Sequence, residues 1–193
     1  MTRNTRLRLF AFACSTAIVA LGLPPVQAQD NRQGTVVTLD GLQSRAPATW
    51  AEERPTSDTR VAQFRLEPVN DDKDKAEVVV FYFRGQGGSA NDNVKRWKGM
   101  FRPPEGKKID DVAKVDKLKV GKVPVTYVDL SGTYLSRLRP FDPNSEIRPF
   151  PNYRMIGVVF ESEKGPYFIR LLGPANTVEN YKKGFDDWLK AFK

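Results

Sequence analysis

Two pairs of strand-like segments joined by short turns limit the fold of this chain more than any other feature. Residues 112–120 and 123–130 lie on either side of a Gly-Lys pair at 121–122. Residues 153–160 and 167–172 are largely apolar and flank a short polar turn. Two-residue turns that begin with Gly are typical of antiparallel hairpins. These patterns predict a sheet that is mainly antiparallel.

Three earlier segments are also predicted to be strands, at residues 35–39, 59–66 and 77–83. Ser89 is expected to cap a first helix, with an acidic residue three positions later, and Asn176 to cap the last one. The resulting order, β-β-β-α-β-β-β-β-α, contains consecutive hairpins and few strand-helix-strand crossovers. We therefore predict an α+β fold, with a mainly antiparallel sheet flanked by helices.

The near absence of two residue types excludes most catalytic chemistry. The 193-residue chain contains no His and a single Cys, Cys14. A chain without His cannot form a Ser-His-Asp triad, a Cys-His dyad or a His-ligated metal site. One Cys allows no intrachain disulfide and no zinc ribbon. We therefore expect no cofactor, no metal and no enzymatic activity.

The first 28 residues have the three parts of a secretory signal peptide. Three arginines and no acidic residue precede an apolar stretch at residues 9–23, and small residues lead to Ala28. The apolar stretch is shorter than the ~20 residues that span a bilayer. We expect cleavage after Ala28, which leaves one soluble domain at residues 29–193, exported to the periplasm or the extracellular medium.

Loss of this leader changes the charge and the cysteine content of the protein. Its three arginines account for a fall in net charge from +8 to +5, and it contains Cys14. A net charge of +5 is moderate for a domain of this size and is below that of a dedicated nucleic-acid-binding domain. Nucleic acid is therefore not an expected partner.

Strand order and aromatic placement resemble the PsbP-type α/β/α sandwich. The resemblance rests on residues 153–160, 165–174 and 185–192, on the Pro-x-x-Trp element at 47–50, and on the Gly-rich segment leading to Arg96-Trp97. It covers most of residues 35–192. This family includes an extrinsic photosystem II subunit, a Ran-GTPase-binding nuclear import factor and exported bacterial members. The resemblance implies a non-enzymatic accessory or binding protein, and it transfers no functional residue.

A Gly-rich turn before the first helix is the first candidate site. Its pattern, Gly85-x-Gly87-x-x-Ala90, matches a dinucleotide fingerprint, but the expected acidic residue at the end of a second parallel strand is missing. Two interpretations stay open, a turn that needs Gly for its geometry and an anion site at the helix N-terminus. The candidate anion-binding residues are Gly85, Gly87, Gly88, Ser89, Lys117 and Lys119. The lysines can also be explained as protection of an edge strand.

The second candidate site is the connection at residues 136–152, which repeats Arg-Pro-Phe after nine residues. A 17-residue segment without periodicity is uncommon inside a domain, and Arg and aromatic side chains are enriched in interface hot spots. The candidate partner-binding residues are Arg137, Arg139, Phe141, Arg148, Phe150 and Tyr153. Alternatively, the two phenylalanines pack on the sheet and hold the loop in place.

Acidic residues offer two further possibilities. Asn70, Asp72 and Asp74 have the alternating oxygens of a calcium loop, but Lys and Phe occupy the positions that need Gly and Glu. Paired carboxylates could hydrolyse glycosides without His. The acidic residues lie mostly in turns and on polar helix faces. Asp129, which has apolar neighbours, is expected to pair with Lys or Arg.

The pattern as a whole predicts an exported accessory protein that docks on a protein or an envelope component through the Arg-Pro-Phe segment and the Gly-rich turn. One alternative is a binder of an anionic small molecule or polymer at the Gly-rich turn and the lysines. A second alternative is a hydrolase that uses paired carboxylates.

Overall fold

The computed structural model describes residues 33–139, 142 and 144–193. Within them the chain forms ten strands and three helices. The strands are β1 Val36–Leu39, β2 Leu42–Arg45, β3 Ala51–Glu52, β4 Arg60–Leu66, β5 Ala76–Tyr82, β6 Phe101–Arg102, β7 Ala113–Val120, β8 Val123–Arg137, β9 Ile147–Ser162 and β10 Gly165–Pro174. The helices are α1 Ala90–Gly99, α2 Ile109–Val112 and α3 Ala175–Lys190. The expected signal peptide lies outside the described residues.

Eight strands form one antiparallel sheet in the order β3-β4-β5-β10-β9-β8-β6, with β7 also paired to β8. Both hairpins predicted from the sequence are confirmed. Val120 pairs with Val123 across the Gly-Lys turn, and Ser162 pairs with Gly165 across the second turn. The two central strands, β10 and β9, come from the largely apolar segments near the C-terminus.

Helices cover both faces of this sheet, which confirms the predicted α+β class. On one face α3 packs together with the small β1–β2 hairpin, and Gln43 and Lys193 exchange backbone hydrogen bonds of 2.9 and 3.2 Å. On the opposite face α1 packs over β8 and β9. None of the helices in the described residues is long and apolar enough to cross a membrane.

The α3 face contains the larger core. Trp50, from the Pro-x-x-Trp element, is 2% exposed and lies 5.4 Å from Trp188 and 5.7 Å from Phe64, between ring centroids. Phe185 and Phe192 complete this aromatic cluster. The predicted apolar face of the last helix is therefore the face that packs on the sheet.

Helix α1 is held in place by its cap and by one close contact. Ser89 accepts a hydrogen bond from the Asp92 N–H, and the Asp92 carboxylate accepts one from the Ser89 N–H, so the predicted capping box is confirmed. Trp97 lies directly over Gly157 of β9. A Cβ on Gly157 would be 2.6 Å from two carbons of the indole ring.

The predicted cap of the last helix is wrong. Asn176 lies inside α3, which begins at Ala175 after Pro174. Asp72, from the β4–β5 turn, instead accepts hydrogen bonds from the N–H and the hydroxyl of Thr177, at 2.8 and 2.7 Å. A residue distant in sequence thus satisfies this helix end, and local patterns do not contain that information.

The predicted irregular connection at residues 136–152 is also wrong in part, because eight of its 17 residues belong to strands. β8 continues to Arg137 and β9 begins at Ile147, and their ladder includes the Tyr134–Phe150 and Arg137–Ile147 pairs. We call residues 131–139 and 144–153 the arm. In addition, β2, β3, β6 and α2 were not predicted, and each spans four residues or fewer.

The Trp97–Gly157 contact leads to a stability prediction. Gly157→Ala should lower the free energy of unfolding by about 1–3 kcal/mol, because the added methyl group overpacks the site against a buried indole ring. Chemical denaturation monitored by circular dichroism measures the change.

Gly99→Ala is the matched control, since a Cβ there meets no atom within 4 Å. The control should leave stability unchanged or raise it by up to ~1 kcal/mol. Equal stability of the two variants would contradict the proposed packing.

Candidate functional site

A cleft of about 980 Å³ opens on the α1 face of the sheet. Its floor is formed by β5 and β10, one wall by α1 and the other wall by the arm. This volume is at the upper end of the range of about 300–1,000 Å³ that is usual for small-molecule sites.

Aromatic and apolar side chains form most of the inner surface of the cleft. Phe81, Phe83 and Phe168 lie on the floor, with ring centroids of neighbouring pairs 6.0 and 5.7 Å apart. Trp97 and Met100 contribute the helix wall. Phe81 and Phe83 are only partly buried, so the cleft presents aromatic surface to whatever enters it.

The charged side chains of the cleft are mostly basic. Among the described lining residues there are four arginines and one carboxylate, Glu77. The arginines are Arg60 from β4, Arg96 from α1, Arg137 from the arm and Arg170 from β10. Four different elements thus bring positive charge to one site, which favours an anionic ligand.

Two of these arginines flank the ring of Phe81. The guanidinium carbons of Arg60 and Arg170 lie 5.4 and 5.7 Å from its centroid. Arg170 donates to Glu77 at 3.0 Å, while Arg60 is 3.8 Å from the same carboxylate. The Nε of Arg170 is buried and has no hydrogen-bond partner among the described residues. One carboxylate therefore compensates two guanidinium groups.

The Gly-rich turn contributes two residues, Gln86 and Gly87, to the lining of the cleft. Gly87 lies against the Phe168 ring, 2.1 Å from where a Cβ would be, so this position has no room for a side chain. Gly85 and Gly88 have φ values of +83° and +79°, which favour glycine. Asn93 holds the turn closed by donating to two of its carbonyl groups, at 2.9 Å each.

The helix end at this turn already holds a carboxylate. Asp92 accepts hydrogen bonds from the hydroxyl and the N–H of Ser89, and these bonds lower the pKa of Asp92. The position that an external anion would occupy is thus taken by a side chain of the protein. Gly85 and Gly88 serve the geometry of the turn.

Lys117 and Lys119 lie far from this turn. They belong to β7, which pairs with β8, whereas the turn follows β5, four strands away in the sheet order. Four strand spacings correspond to about 19 Å. Lys117 donates to the Thr126 hydroxyl at 2.6 Å. The structure does not bring the six candidate anion-binding residues together. Lys117 and Lys119 lie on an edge strand, β7.

The aromatic residues of the arm pack on one another. Phe150 and Tyr153 have ring centroids 5.2 Å apart, and Tyr134 lies 6.3 and 6.1 Å from them. Tyr153 also donates to Asp74 at 3.0 Å, and burial together with this bond raises the pKa of Tyr153. Phe141 lies outside the described residues.

The predicted arginines of the arm are exposed and lie towards its end. Arg139 contacts Asp142 at 2.8 Å and Arg148 contacts Glu146 at 3.3 Å. Leu138 and Ile147, beside them, are 63% and 42% exposed. We call Arg137, Leu138, Arg139, Ile147 and Arg148 the tip. Two of the five large apolar side chains that the described residues expose belong to it.

The prolines of the arm have a structural explanation. Leu135 donates its N–H to Met100 at 2.8 Å, so it faces away from β9, and its partner across the ladder is Pro149. In such a pair the backbone nitrogen atoms of both residues point away from the partner strand. The nitrogen of Pro149, and that of Pro151 two residues later, therefore face the open edge of β9. Pro has no N–H to offer there.

Carboxylates outside the cleft take part in structural bonds. Arg154 donates to both oxygens of Asp129 at 2.8 Å and also contacts Glu179, and the bond to Asp129 is the main cause of its raised pKa. This confirms the expected partner of Asp129. In the described residues no group of three or more acidic, His or Cys side chains could hold a metal ion.

Sequence reasoning missed the residues that define the cleft floor. Arg60, Glu77, Phe81 and Arg170 were assigned only to strands. One signal was present, because Arg170 interrupts an otherwise apolar central strand. A charged residue in that environment is rarely buried without a partner or a function.

Comparisons with known proteins concern the fold alone. No protein-family model matches the chain, and no curated protein matches it. The chain is similar to the solution structure of cyanobacterial PsbP (CyanoP) from Synechocystis sp. PCC 6803. The identity is 11% and the TM-score 0.48, over 93% of this chain and 97% of that chain. A PsbP structure is thus among those to which the chain is similar.

The role of the arm prolines can be tested by restoring the missing donors. The double variant Pro149→Thr, Pro151→Thr should self-associate more than the parent protein, because it presents two new N–H groups on an open edge. Sedimentation velocity over a range of concentrations measures this.

Pro55→Thr with Pro104→Thr makes the same chemical change at two exposed loop positions. This control should self-associate no more than the parent protein. If the Pro149→Thr, Pro151→Thr variant self-associates no more than the parent protein, the prolines do not protect this edge.

Proposed function

We propose that the protein is an exported, non-enzymatic accessory protein that docks on a protein partner of the cell envelope through the tip of the arm. The observation that carries this proposal is the tip itself, where exposed Leu138 and Ile147 lie between three arginines. Arg is enriched in interface hot spots, and interfaces usually combine an apolar centre with a polar rim.

The construction of the arm suits such a role. Its base is stiffened by the ring contacts of Tyr134, Phe150 and Tyr153. A surface that is already ordered loses less conformational entropy when it binds. The prolines on the open edge disfavour strand addition, so docking would depend on side chains at the tip.

Charge indicates the kind of partner. The tip has three arginines, and the nearby carboxylates Asp142 and Glu146 form exposed ion pairs, which are weak and can be exchanged. A partner with an apolar depression and acidic groups around it would replace these two pairs. Such an interface would form faster at low salt than at high salt.

A non-enzymatic role agrees with the contents of the cleft. Glu77 is the one carboxylate among its described lining residues and already contacts Arg170 and Arg60. Glycosidase-type hydrolysis needs two carboxyl groups facing each other across the substrate. The hydrolase alternative therefore receives no support from this site.

Docking through the tip is tested by removing its charge. Arg139→Ala with Arg148→Ala should abolish co-purification of the partner from an envelope fraction of the source cells, with the tagged domain as bait. Leu138→Asp should do the same without changing the arginines. Quantitative mass spectrometry of the captured proteins measures both effects.

Arg54→Ala with Lys190→Ala removes the same net charge at exposed positions away from the arm, and it should retain the partner. If the tip variants capture the same proteins as the parent and this control, docking through the tip is wrong.

Export can be tested separately. The full chain expressed in a bacterial host should be released by osmotic shock with an N-terminus at Gln29, because cleavage is expected after Ala28. N-terminal mass spectrometry identifies the processed end, and Ala28→Arg should block processing. A cytoplasmic protein with an intact N-terminus would contradict export.

A further inference from the structure

We propose that the cleft between α1 and the arm is a binding site for a single-chain amphiphile with an anionic head, such as a medium-chain carboxylate. Two tip residues, Arg137 and Ile147, also line the cleft. The docking test changes only Leu138, Arg139 and Arg148, so either proposal can fail without the other. Three properties of the cleft lead to this ligand class: its size, its aromatic surface and its unbalanced charge.

The cleft has room for an organic ligand and a surface that favours one. Its volume is about 980 Å³, and its lining includes the partly buried rings of Phe81 and Phe83 and the buried rings of Phe168 and Trp97. Phe81 and Phe83 are half-buried although they lie on a sheet face where their neighbours are core residues. An alkyl chain laid over these rings would remove apolar surface from water without requiring any polar partner.

The charge of the cleft requires a negative group in addition. Arg60 and Arg170 both lie within 6 Å of the Phe81 centroid, so their guanidinium groups are at the same end of the floor. They share one carboxylate, Glu77, and the Nε of Arg170 has no hydrogen-bond partner in the described part of the chain. Both guanidinium groups are partly buried, with side chains 22% and 15% exposed, and partial desolvation of a charge without its own counter-ion is unfavourable. An anionic head beside it would lower that cost.

The arrangement also orients the ligand. Guanidinium groups bind carboxylate and phosphate through paired hydrogen bonds. The head is therefore placed at Arg60 and Arg170, next to the Phe81 ring. The chain then extends over the aromatic floor towards Trp97 and Met100. Arg96 and Arg137 add positive potential at the rim. A neutral lipid would leave the positive end unmatched, and an inorganic anion would leave the aromatic surface uncovered.

The first experiment compares four probes with one chain length by isothermal titration calorimetry, below their micellar concentrations. Decanoate and decyl phosphate should each bind with a stoichiometry of one, and their ratio shows which head is preferred. Decanol and decyltrimethylammonium should bind at least ~10-fold more weakly, as expected for the loss of a charge-assisted hydrogen bond. Acetate should not bind measurably.

Variants then locate the site. Arg60→Gln should weaken decanoate binding ~10-fold, a loss of the size expected for one charged hydrogen bond. Arg65→Gln is its matched control, because Arg65 is on the same strand and pairs with Glu53 and Glu67 outside the cleft. The control should change affinity less than twofold.

A second variant blocks the space instead of the charge. Gly99→Phe introduces a ring at a wall position where a Cβ has open space and where the backbone is helical, so folding is preserved. It should reduce decanoate binding and leave the circular dichroism spectrum unchanged. This variant keeps the test valid if substitutions of Arg60 disturb the strand.

Several results would overturn the proposal. Equal binding of decanol and decanoate would exclude the role of charge, and equal binding of acetate and decanoate would exclude the role of the chain. Tighter binding of adenosine monophosphate than of decanoate would assign the cleft to nucleotides. Equal affinities of the Arg60→Gln, Gly99→Phe and parent proteins would place the ligand elsewhere.

Discussion

The contact between Trp97 and Gly157 determines where everything on one face of the sheet can lie. Because Gly157 has no side chain, the indole ring rests directly on the β9 backbone, and α1 is held over β9 and β8. A ten-residue helix at that position packs with Phe168 and Leu172 of β10 but leaves the rings of Phe81 and Phe83 only partly buried. The cleft is the part of the sheet face that remains, and its aromatic floor would belong to a closed core if the helix were longer or nearer to β5.

The base of the arm also depends on a glycine that lets two backbone segments approach closely. Gly132 lies where a Cβ would be 2.5 Å from the carbonyl oxygen of Arg102, so its lack of a side chain lets β6 pair with β8 at the base of the arm. Past this point β8 and β9 pair with each other, and their ladder continues to Arg137 and Ile147. Tyr134, Phe150 and Tyr153 supply the packing that the absent neighbouring strands would otherwise provide. One hairpin thus forms a wall of the cleft and also exposes a basic, apolar tip.

Local features of the structure could be predicted from the sequence, and features set by distant residues could not. The Ser89 cap and both hairpins follow from neighbours within a few positions, and they were correct. Residues 136–152 were predicted to be irregular because they lack periodicity, but the missing N–H groups of Pro149 and Pro151 face an open edge, so the strand continues through these prolines. The cap of α3 comes from Asp72, about a hundred residues earlier. The cleft likewise unites Arg60, Arg137 and Arg170, whose proximity depends on the strand order β4-β5-β10 and on the path of the arm.

The two faces of the sheet use similar residues with different results, and this difference supports a binding function. On the α3 face a sixteen-residue helix and the β1–β2 hairpin cover the aromatic side chains, and Trp50, Phe64 and Phe185 are at most 2% exposed. On the α1 face Phe81 and Phe83 remain half-buried, beside arginines that lack full compensation. Surface that is apolar and charged at once is unfavourable for folding alone, since burial of the rings and solvation of the charges oppose each other. A molecule with both characters resolves that conflict, because its chain covers the rings while its head neutralises Arg60 and Arg170.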